Sequence, residues 1–275
     1  FEKRMKNKFL IVILFSIFAV PTFGQEKGGD STRLPYNFSQ FWRETGHYYT
    51  TPLHWGGSDA IILGSLVAGT GIAYALEAPA REVIFNNKVL YNSFPAAFGN
   101  FYGGLYTPFI LFGAYGGYSL ITGDMTARKI AFEIGQSCLY AGSIVAILKY
   151  TIGRARPYAH LGKGSFFNFS ITDDAFHSFP SGHVTEAFAI STVLAFNADP
   201  LWLKILAYVP AAFTPFARAY QGYHWISDCV LGAGIGFFTA KWCSDAHGRV
   251  DDAPQRTGVL EVKSLWPLTL SMVIN

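Results

Sequence analysis

Residues 179–198 read FPSGHVTEAFAISTVLAFNA, a tight turn followed by an apolar run of helical length. Proline and glycine set the turn, Ser181 can cap the helix, and the exposed N–H groups of its first turn form a natural binding site for phosphate. His183 then lies at the edge of an anion site, where a histidine can protonate a leaving oxygen because its pKa is near neutrality. Taken alone, the stretch fits a capped helix start with an incidental histidine equally well.

Residues 149–157, upstream of this stretch, read KYTIGRARP and close an apolar helix that Pro157 cannot continue. Lys149 and Arg156 are seven residues apart, about two helical turns, so they share a face if the helix persists between them. A planar guanidinium can hold two phosphate oxygens while an ammonium supplies a point charge. The alternative is a pair of anchors that reach toward lipid headgroups. The next segment, Tyr158–Phe179, is either part of a substrate entrance or a surface loop.

Residues 218–228, downstream, read RAYQGYHWISD. His224 and Asp228 are four apart and can meet on one face of a helix that begins near Trp225. Such a carboxylate fixes the imidazole tautomer, leaves the other ring nitrogen free to attack and stabilises the cation that forms. A lone His–Asp pair on a helix is usually structural, but Arg218 precedes this pair as a third ligand for an anion.

The composition favours a membrane protein with a single domain. Of 275 residues, 51% are hydrophobic, 17% aromatic and only 14% charged, against about a quarter charged in soluble domains. The formal charge of +3 and the absence of a long basic run argue against a nucleic-acid partner. Cys138, Cys229 and Cys243 lack metal-ligand spacing and are predicted to be small buried apolar residues.

The start of the chain has the pattern of a secretory signal. Residues 1–4 precede Met5 and are interpreted as an upstream remnant, and a basic start leads into the apolar run Phe9–Val20, which is short for a membrane span. We expect cleavage near Gln25, with an uncleaved anchor as the alternative. The predicted organisation is a signal peptide at 1–24, a polar and aromatic arm at 25–57, a catalytic domain at 58–245 and a tail of unknown role at 246–275.

Six apolar stretches are predicted to be helices, so the expected fold is an all-α bundle of about six core helices, associated with a membrane. Several are rich in small residues, which permit close helix contact in a bilayer, but they are short beside the roughly 20 residues of a span. Glu133 and Glu186 interrupt two of them, either as functional acids or as ion-pair partners. The stretches are Ala60–Leu76, Gly104–Thr122, Ile130–Leu148, Val184–Ala198, Leu201–Ala217 and Trp225–Ala240.

Taken together, the patterns K-x6-R-P, P-S-G-H and R-x5-H-x3-D resemble, in this order, the three-part motif of the type 2 phosphatidic acid phosphatase (PAP2) superfamily. That family also includes bacterial non-specific acid phosphatases and vanadate-dependent haloperoxidases. The resemblance runs from Lys149 to Asp228, and the flanking apolar helices fit the helical bundle of the family. The one departure is Ala217, where the family usually has serine, so a hydroxyl contact to phosphate is missing.

The resemblance implies a mechanism without a metal ion or other cofactor. His224 attacks phosphorus to give a phosphohistidine, Asp228 orients it, His183 protonates the departing alkoxide, and water then hydrolyses the intermediate. Three cations can neutralise charge on the transferring group as a divalent metal does elsewhere, and no Asp/His cluster has metal-ligand spacing. The implied phosphate ligands are Lys149, Arg156 and Arg218, with Ser181 and the backbone of Gly182.

The predicted function is hydrolysis of a lipid-linked phosphate monoester or diphosphate, with a phospholipid, isoprenoid or lipid A phosphate as substrate. The alternatives are a soluble periplasmic acid phosphatase of broad specificity, a vanadate-dependent haloperoxidase and an inactive membrane protein that binds headgroups. We expect an active site that faces the periplasm. Because three spans after a signal would put Lys149 in the cytoplasm, we expect either that Ala60–Leu76, bounded by Asp59 and Glu77, does not span, or that the bundle is peripheral.

Overall fold

A computed structural model describes residues 35–85, 90–169 and 173–248. These residues form eight α-helices, and they contain no β-strand beyond one isolated bridge between Arg154 and Phe166. The prediction of an all-α fold is therefore confirmed. The predicted signal peptide and residues 249–275 of the predicted tail lie outside the described residues. The helices are α1 Phe38–Thr50, α2 Gly57–Phe85, α3 Phe94–Tyr102, α4 Tyr106–Thr122, α5 Met125–Ile152, α6 Gly182–Phe196, α7 Leu201–Tyr220 and α8 Ile226–His247.

Helix α6 lies at the centre of the bundle, in contact with α5, α7 and α8. It is apolar all round, which is the pattern of a helix buried on every side. Glycines bring α8 close to it: a Cβ added at Gly236 would lie 2.2 Å from the Thr185 carbonyl oxygen, and one at Gly232 would lie 2.7 Å from that of Ser181. Such close helix contact requires glycine at the interface. The fully buried apolar residues of α6 are Val184, Ala187, Ala189, Ile190 and Val193.

Helix α2 is longer than the sequence pattern indicated. The helix includes Glu77 and Pro79, and its Gly57–Arg81 portion, 25 residues, is long and apolar enough to cross a membrane, as is α5. Only 6% of the most apolar stretch of α2 is buried. The expected end of this helix at Leu76 is therefore wrong, whereas the expectation that the segment does not span a membrane stays a prediction. The reason is that Glu77, interpreted as a polar boundary, is a buried residue of the helix.

Helix α1 lies in the polar and aromatic arm expected at residues 25–57, and it packs against the bundle without a fully buried residue of its own. The Tyr48 ring stacks on the Tyr140 ring with 4.5 Å between centroids, and its hydroxyl lies 2.9 Å from that of Thr239. Glu44 accepts a hydrogen bond of 2.8 Å from Gln136. Aromatic and polar contacts hold this helix, and neither produces the apolar periodicity by which a sequence reveals a packed helix.

The two acids that interrupt apolar helices have different surroundings. Glu133 is buried and forms an ion pair of 3.3 Å with Lys129, so the ion-pair interpretation holds there. Glu186 is also buried, and its Oε2 atom has no hydrogen-bond partner among the described residues. The cysteines are free thiols: Cys229 and Cys243 are buried as predicted, whereas Cys138 is partly buried.

Candidate active site

The three sequence motifs meet at one end of the bundle. The Lys149 ammonium donates a hydrogen bond to the His177 carbonyl, and a Cβ added at Gly182 would lie 3.9 Å from the Cε of Lys149. The Ser181 N–H donates to the Asp228 carbonyl at 3.0 Å. Each predicted site residue lies near a helix end or in a connection: Lys149 is in the last turn of α5, Arg156 follows that helix, Ser181 precedes Gly182 and His183 of α6, Arg218 is in the last turn of α7, and His224 precedes α8, which contains Asp228.

A left-handed turn, rather than a continuous helix, places Arg156. Helix α5 ends at Gly153, which has φ of 59° and whose N–H bonds the Lys149 carbonyl at 3.1 Å. A Cβ there would lie 1.8 Å from the Phe167 carbonyl oxygen, so only glycine fits. The condition for a shared helical face is therefore not met. Arg156 instead reaches the site in an extended segment, where its N–H donates to the Ala175 carbonyl at 2.8 Å.

Donors at the site include two that are buried and lack partners. Ser181 Oγ and Arg218 Nε have no hydrogen-bond partner among the described residues. A buried unpaired donor costs about 1–3 kcal/mol, so such groups indicate where an acceptor binds. The prediction that Ser181 caps α6 with its side chain is wrong: it occupies the N-cap position but makes no capping bond. Its hydroxyl is thereby left for a ligand.

The arginines of the predicted site have contacts that leave further donors available. Arg156 donates from Nε to the Asp174 carbonyl at 2.9 Å and from Nη2 to the Asp174 carboxylate at 3.0 Å. Arg218 donates from Nη1 to the Asn100 side chain at 3.1 Å, and its guanidinium lies 4.2 Å from the Tyr223 ring centroid. Ala217, which precedes Arg218, is fully buried.

His224 is held by a backbone carbonyl. Its Nδ1 lies 2.7 Å from the Ser178 carbonyl oxygen and 3.7 Å from the nearer Asp228 oxygen. The carbonyl can only accept, so Nδ1 carries the proton and Nε2 keeps its lone pair. The prediction of a direct Asp228 contact on a helical face is corrected, since His224 precedes the first residue of α8, Ile226. Asp228 is within ion-pair distance but makes no hydrogen bond to the ring.

Burial, together with the positive charges of the site, keeps both histidines neutral. Burial, together with the charges of Lys149, Arg156 and Arg218, lowers the pKa of His224 well below its ordinary value. Burial and the same three cations lower the pKa of His183 to about 3. A neutral imidazole is the nucleophilic form, whereas a general acid must be protonated. Bound phosphate brings negative charge and thus favours protonation of His183.

The Asp228 carboxylate accepts hydrogen bonds from three groups, and the sequence predicted none of them. It is fully buried and accepts from Arg154 Nη1 at 2.6 Å, from the Ser178 hydroxyl at 2.5 Å and from the Trp225 N–H at 2.7 Å. Arg154 in turn contacts Glu77 of α2. The signal for Arg154 was its place inside KYTIGRARP, between the two predicted cations. No local pattern pointed to Glu77 as its partner.

Comparison with known proteins agrees with these motifs. The PAP2 superfamily matches residues 131–251. The lipid A 1-phosphatase of Rhizobium johnstonii is 31% identical over 221 residues, which cover 71% of this chain and 81% of that protein. That of Porphyromonas gingivalis is 32% identical over 109 residues, 38% of this chain, so the chain spans about a fifth, 21%, of that relative. The crystal structure of Aquifex aeolicus LpxE is 22% identical in sequence and superimposes with a TM-score of 0.45. The match covers 61% of this chain and 94% of that one.

The chain therefore belongs to the PAP2 superfamily. Its class is that of a PAP2-type phosphatase, a phosphoric monoester hydrolase. Two of its described helices are long and apolar enough to cross a membrane.

Proposed function

We propose that this PAP2-type phosphatase removes the phosphate monoester of a lipid A-type lipid, with His224 as nucleophile. The observation that carries the proposal is the placement of a neutral, oriented imidazole among three cations, beside the unpaired Ser181 hydroxyl and Arg218 Nε. The curated relatives are named lipid A 1-phosphatases, which supports this substrate class. The sequence also predicted lipid diphosphates as substrates, and a lipid diphosphate is therefore the second substrate to test.

The reaction proceeds in two displacements. His224 Nε2 attacks phosphorus, the bond from phosphorus to the lipid oxygen breaks, and His183 gives its proton to that oxygen. Neutral His183 then takes a proton from water, whose oxygen attacks phosphorus, and the bond to Nε2 breaks to release inorganic phosphate. Lys149, Arg156 and Arg218 hold the phosphoryl oxygens in both steps.

The lipid part of the substrate has an apolar cavity beside the site. A cavity of about 340 Å³ lies between α2 and the residues that support Asp228. Its lining is mostly apolar, with Val67 and Tyr74 of α2 and the rings of Phe166 and Phe179, and it also includes Arg154 and Ser227. Such a surface suits hydrocarbon or sugar-linked acyl groups. Exposed apolar side chains such as Ile61 and Ile72 continue the apolar surface along α2.

We infer that the reaction needs no metal ion. The groups that face the phosphate are cations and neutral donors, and the described residues contain no group of three or more His, Cys, Asp or Glu side chains placed to hold a metal. Activity should survive EDTA, and vanadate should inhibit, because it adopts a five-coordinate geometry like that of the transition state. Loss of activity on chelation that Mg²⁺ or Zn²⁺ restores would overturn this inference.

We also propose that the site faces the periplasm. Both α2 and α5 point their C-terminal ends toward it, since Glu77 contacts Arg154 and Lys149 lies in the last turn of α5. A spanning α2 therefore puts Gly57 on the opposite side, in the cytoplasm. The predicted signal at 1–24 would instead export the arm to the periplasm. A periplasmic site on a spanning α2 and an exported arm therefore exclude each other, unless the bundle is peripheral.

Cysteine labelling in intact cells tests the side. In a variant without the native cysteines, Gly164→Cys in the exposed loop should react with a membrane-impermeant thiol reagent, and Ser58→Cys should react only after permeabilisation. Labelling of both in intact cells would indicate a peripheral periplasmic bundle. Labelling of Ser58→Cys alone would place the site in the cytoplasm.

Phosphate release tests the substrate. The purified enzyme is assayed with lipid A, phosphatidic acid, phosphatidylglycerol phosphate and undecaprenyl diphosphate, with His224→Ala as the blank. Lipid A should give the highest kcat/KM. Equal turnover of all four and of a water-soluble phosphomonoester would favour the broad acid phosphatase, and bromide oxidation with vanadate and peroxide would favour the haloperoxidase.

A further inference from the structure

We propose that Arg154 and Glu77 form a buried positioning pair, which holds Asp228 in place and thereby fixes the backbone groups on both sides of His224. The pair acts through other residues and does not touch the phosphate. The inference rests on the proposed function, in which His224 is the nucleophile. It adds two residues that belong neither to the predicted phosphate ligands nor to the predicted catalytic residues.

Arg154 uses its donors entirely within the protein. Its guanidinium is 1% exposed and donates to Asp228 Oδ1 at 2.6 Å, to the Ser227 hydroxyl at 2.8 Å, to Glu77 Oε2 at 2.6 Å and to the Lys163 carbonyl at 3.1 Å. The Tyr74 ring centroid lies 5.0 Å from its Cζ. Arg218, in contrast, keeps a buried donor without a partner. Arg154 is therefore a structural cation, although it lies between the predicted phosphate ligands Lys149 and Arg156.

Asp228 transmits this position to both neighbours of the imidazole. Its Oδ2 atom accepts from the Ser178 hydroxyl and from the Trp225 N–H, at 2.5 and 2.7 Å. The Ser178 carbonyl is the group that holds His224 Nδ1, and Trp225 is the residue that follows His224. A shift of Asp228 therefore moves the Ser178 carbonyl, to which the His224 ring is bonded, and the backbone next to His224. Errors of this kind are costly because catalysis depends on attack geometry.

Glu77 completes the charge arrangement from a distant part of the chain. Its carboxylate is 1% exposed, and its Oε1 accepts from the Ser227 hydroxyl and N–H at 2.5 and 3.2 Å while Oε2 accepts from Arg154. A buried guanidinium needs compensating charge and full hydrogen bonding. Without Glu77, Arg154 loses one of its two carboxylate partners, and the guanidinium can shift from its position against Asp228. Glu77 thus holds Arg154, and through it Asp228, in one position.

Two conservative substitutions test the pair. Glu77→Gln keeps the size but removes the charge, and Arg154→Lys keeps the charge but removes the planar set of donors. Both should lower kcat for an aryl phosphate by about 10- to 100-fold, by analogy with the residues that orient the ligands of metal sites, with KM changed less than about threefold. Glu133→Gln is the matched control, a buried paired acid far from the site, and should lower Tm while kcat is kept.

A double-mutant cycle with Asp228→Asn separates positioning from general stability. If Arg154 acts through Asp228, Arg154→Lys should cost less than about threefold in kcat when Asp228 is already Asn, because contacting residues are non-additive. A purely structural role would give the full loss in both backgrounds together with a lower Tm. Glu77→Gln is nearly isosteric and provides the same comparison should Arg154→Lys fail to fold.

The outcomes distinguish this inference from the proposed function. An inactive His224→Ala together with unchanged kcat in Glu77→Gln and Arg154→Lys would overturn the positioning pair and leave the nucleophile assignment intact. An active His224→Ala would overturn the proposed function itself, whatever the effect of the pair. Additive losses in the cycle would also contradict the inference.

Discussion

The bundle buries charged side chains at both ends, and the two groups differ in how their charges are matched. At the end away from the site, Glu133 accepts from Lys129, Asn197 and Ser244, and His247 bridges Glu133 and Glu44. Acids and bases there satisfy each other. At the site, Arg154 and Arg156 pair with acids. Lys149 and Arg218 form no ion pair among the described residues; one donates to a carbonyl and the other to an amide. Matched buried charge indicates a structural role, and unmatched buried charge indicates a ligand.

The same contrast appears in the histidines. At the far end, burial alone would lower the pKa of His247, but hydrogen bonds to Glu133 and Glu44 outweigh it and raise the pKa. At the site, burial and the surrounding cations act in the same direction and lower the pKa of His183 and His224. One residue type thus has a raised pKa as a structural link in one place and a lowered pKa at the candidate active site in the other.

The largest expected effect sharpens this contrast directly. His224→Ala should reduce turnover by roughly 10⁴-fold or more and abolish phosphohistidine, because no other group supplies the attacking lone pair. Acid-quenched labelling with radioactive substrate measures the intermediate.

His247→Ala is the matched control, since it removes a buried histidine from the far end. It should lower Tm, because Glu133 and Glu44 lose their shared partner, and it should leave kcat within about threefold. Equal loss of turnover in both variants would show that the two ends do not differ as described.

His183 should show a smaller effect that depends on the leaving group. His183→Ala should lower kcat about 10²- to 10⁴-fold for a lipid alkoxide, the usual worth of general acid catalysis, and much less for an aryl phosphate. The ratio of kcat between the two substrates, compared for the variant and the parent enzyme, measures this. An equal loss on both substrates would contradict the role of proton donor.

The pH profile tests how His183 obtains its proton. With a pKa of about 3, His183 is neutral in the free enzyme at ordinary pH, so the proton must arrive with a substrate monoanion, whose second pKa is about 6. We expect kcat/KM to fall as pH rises above that value. For the His183→Ala enzyme acting on an aryl phosphate, most of this decline of kcat/KM should disappear, because His183 no longer has to receive a proton. A rate that rises from pH 6 to 8 would contradict the model of substrate-borne protonation.

The sequence predicted the helical fold and the residues gathered at the site, because motif identity and spacing are local information. It did not predict the Glu77–Arg154 pair, whose members are separated by 77 positions, since a charged residue in an apolar run looks like a boundary until its buried partner is known. It also placed Asp228 directly against His224, because helical spacing was extended to a residue that precedes the helix. The catalytic roles of these residues stay predictions.

The contact between α6 and α8 predicts a smaller effect, on stability and on substrate binding together. Gly232→Ala places a methyl group against the Ser181 carbonyl, at 2.7 Å before relaxation, and overpacking of this kind costs about 1–3 kcal/mol. We expect a lower Tm and a raised KM, because Ser181 must move. Gly64→Ala is the matched control, since nothing lies within 4 Å of a Cβ added there. A Gly232→Ala enzyme with parental Tm and KM would contradict the close contact.

The smallest expected effect concerns stability as a function of pH at the far end. Because the pKa of His247 is raised in the folded protein, its contribution is fully present below its unfolded value, about 6.5, and is lost as pH rises through the higher folded value. The site histidines, with lowered pKa, act oppositely: their contribution is present above about 6.5 and is lost as pH falls. Tm measured from pH 5 to 9 should therefore decline on both sides. His247→Gln should flatten only the alkaline decline, whereas His54→Gln, an exposed control, should leave both unchanged. An alkaline decline that persists in His247→Gln would show that the matched charges of the far end do not depend on this histidine.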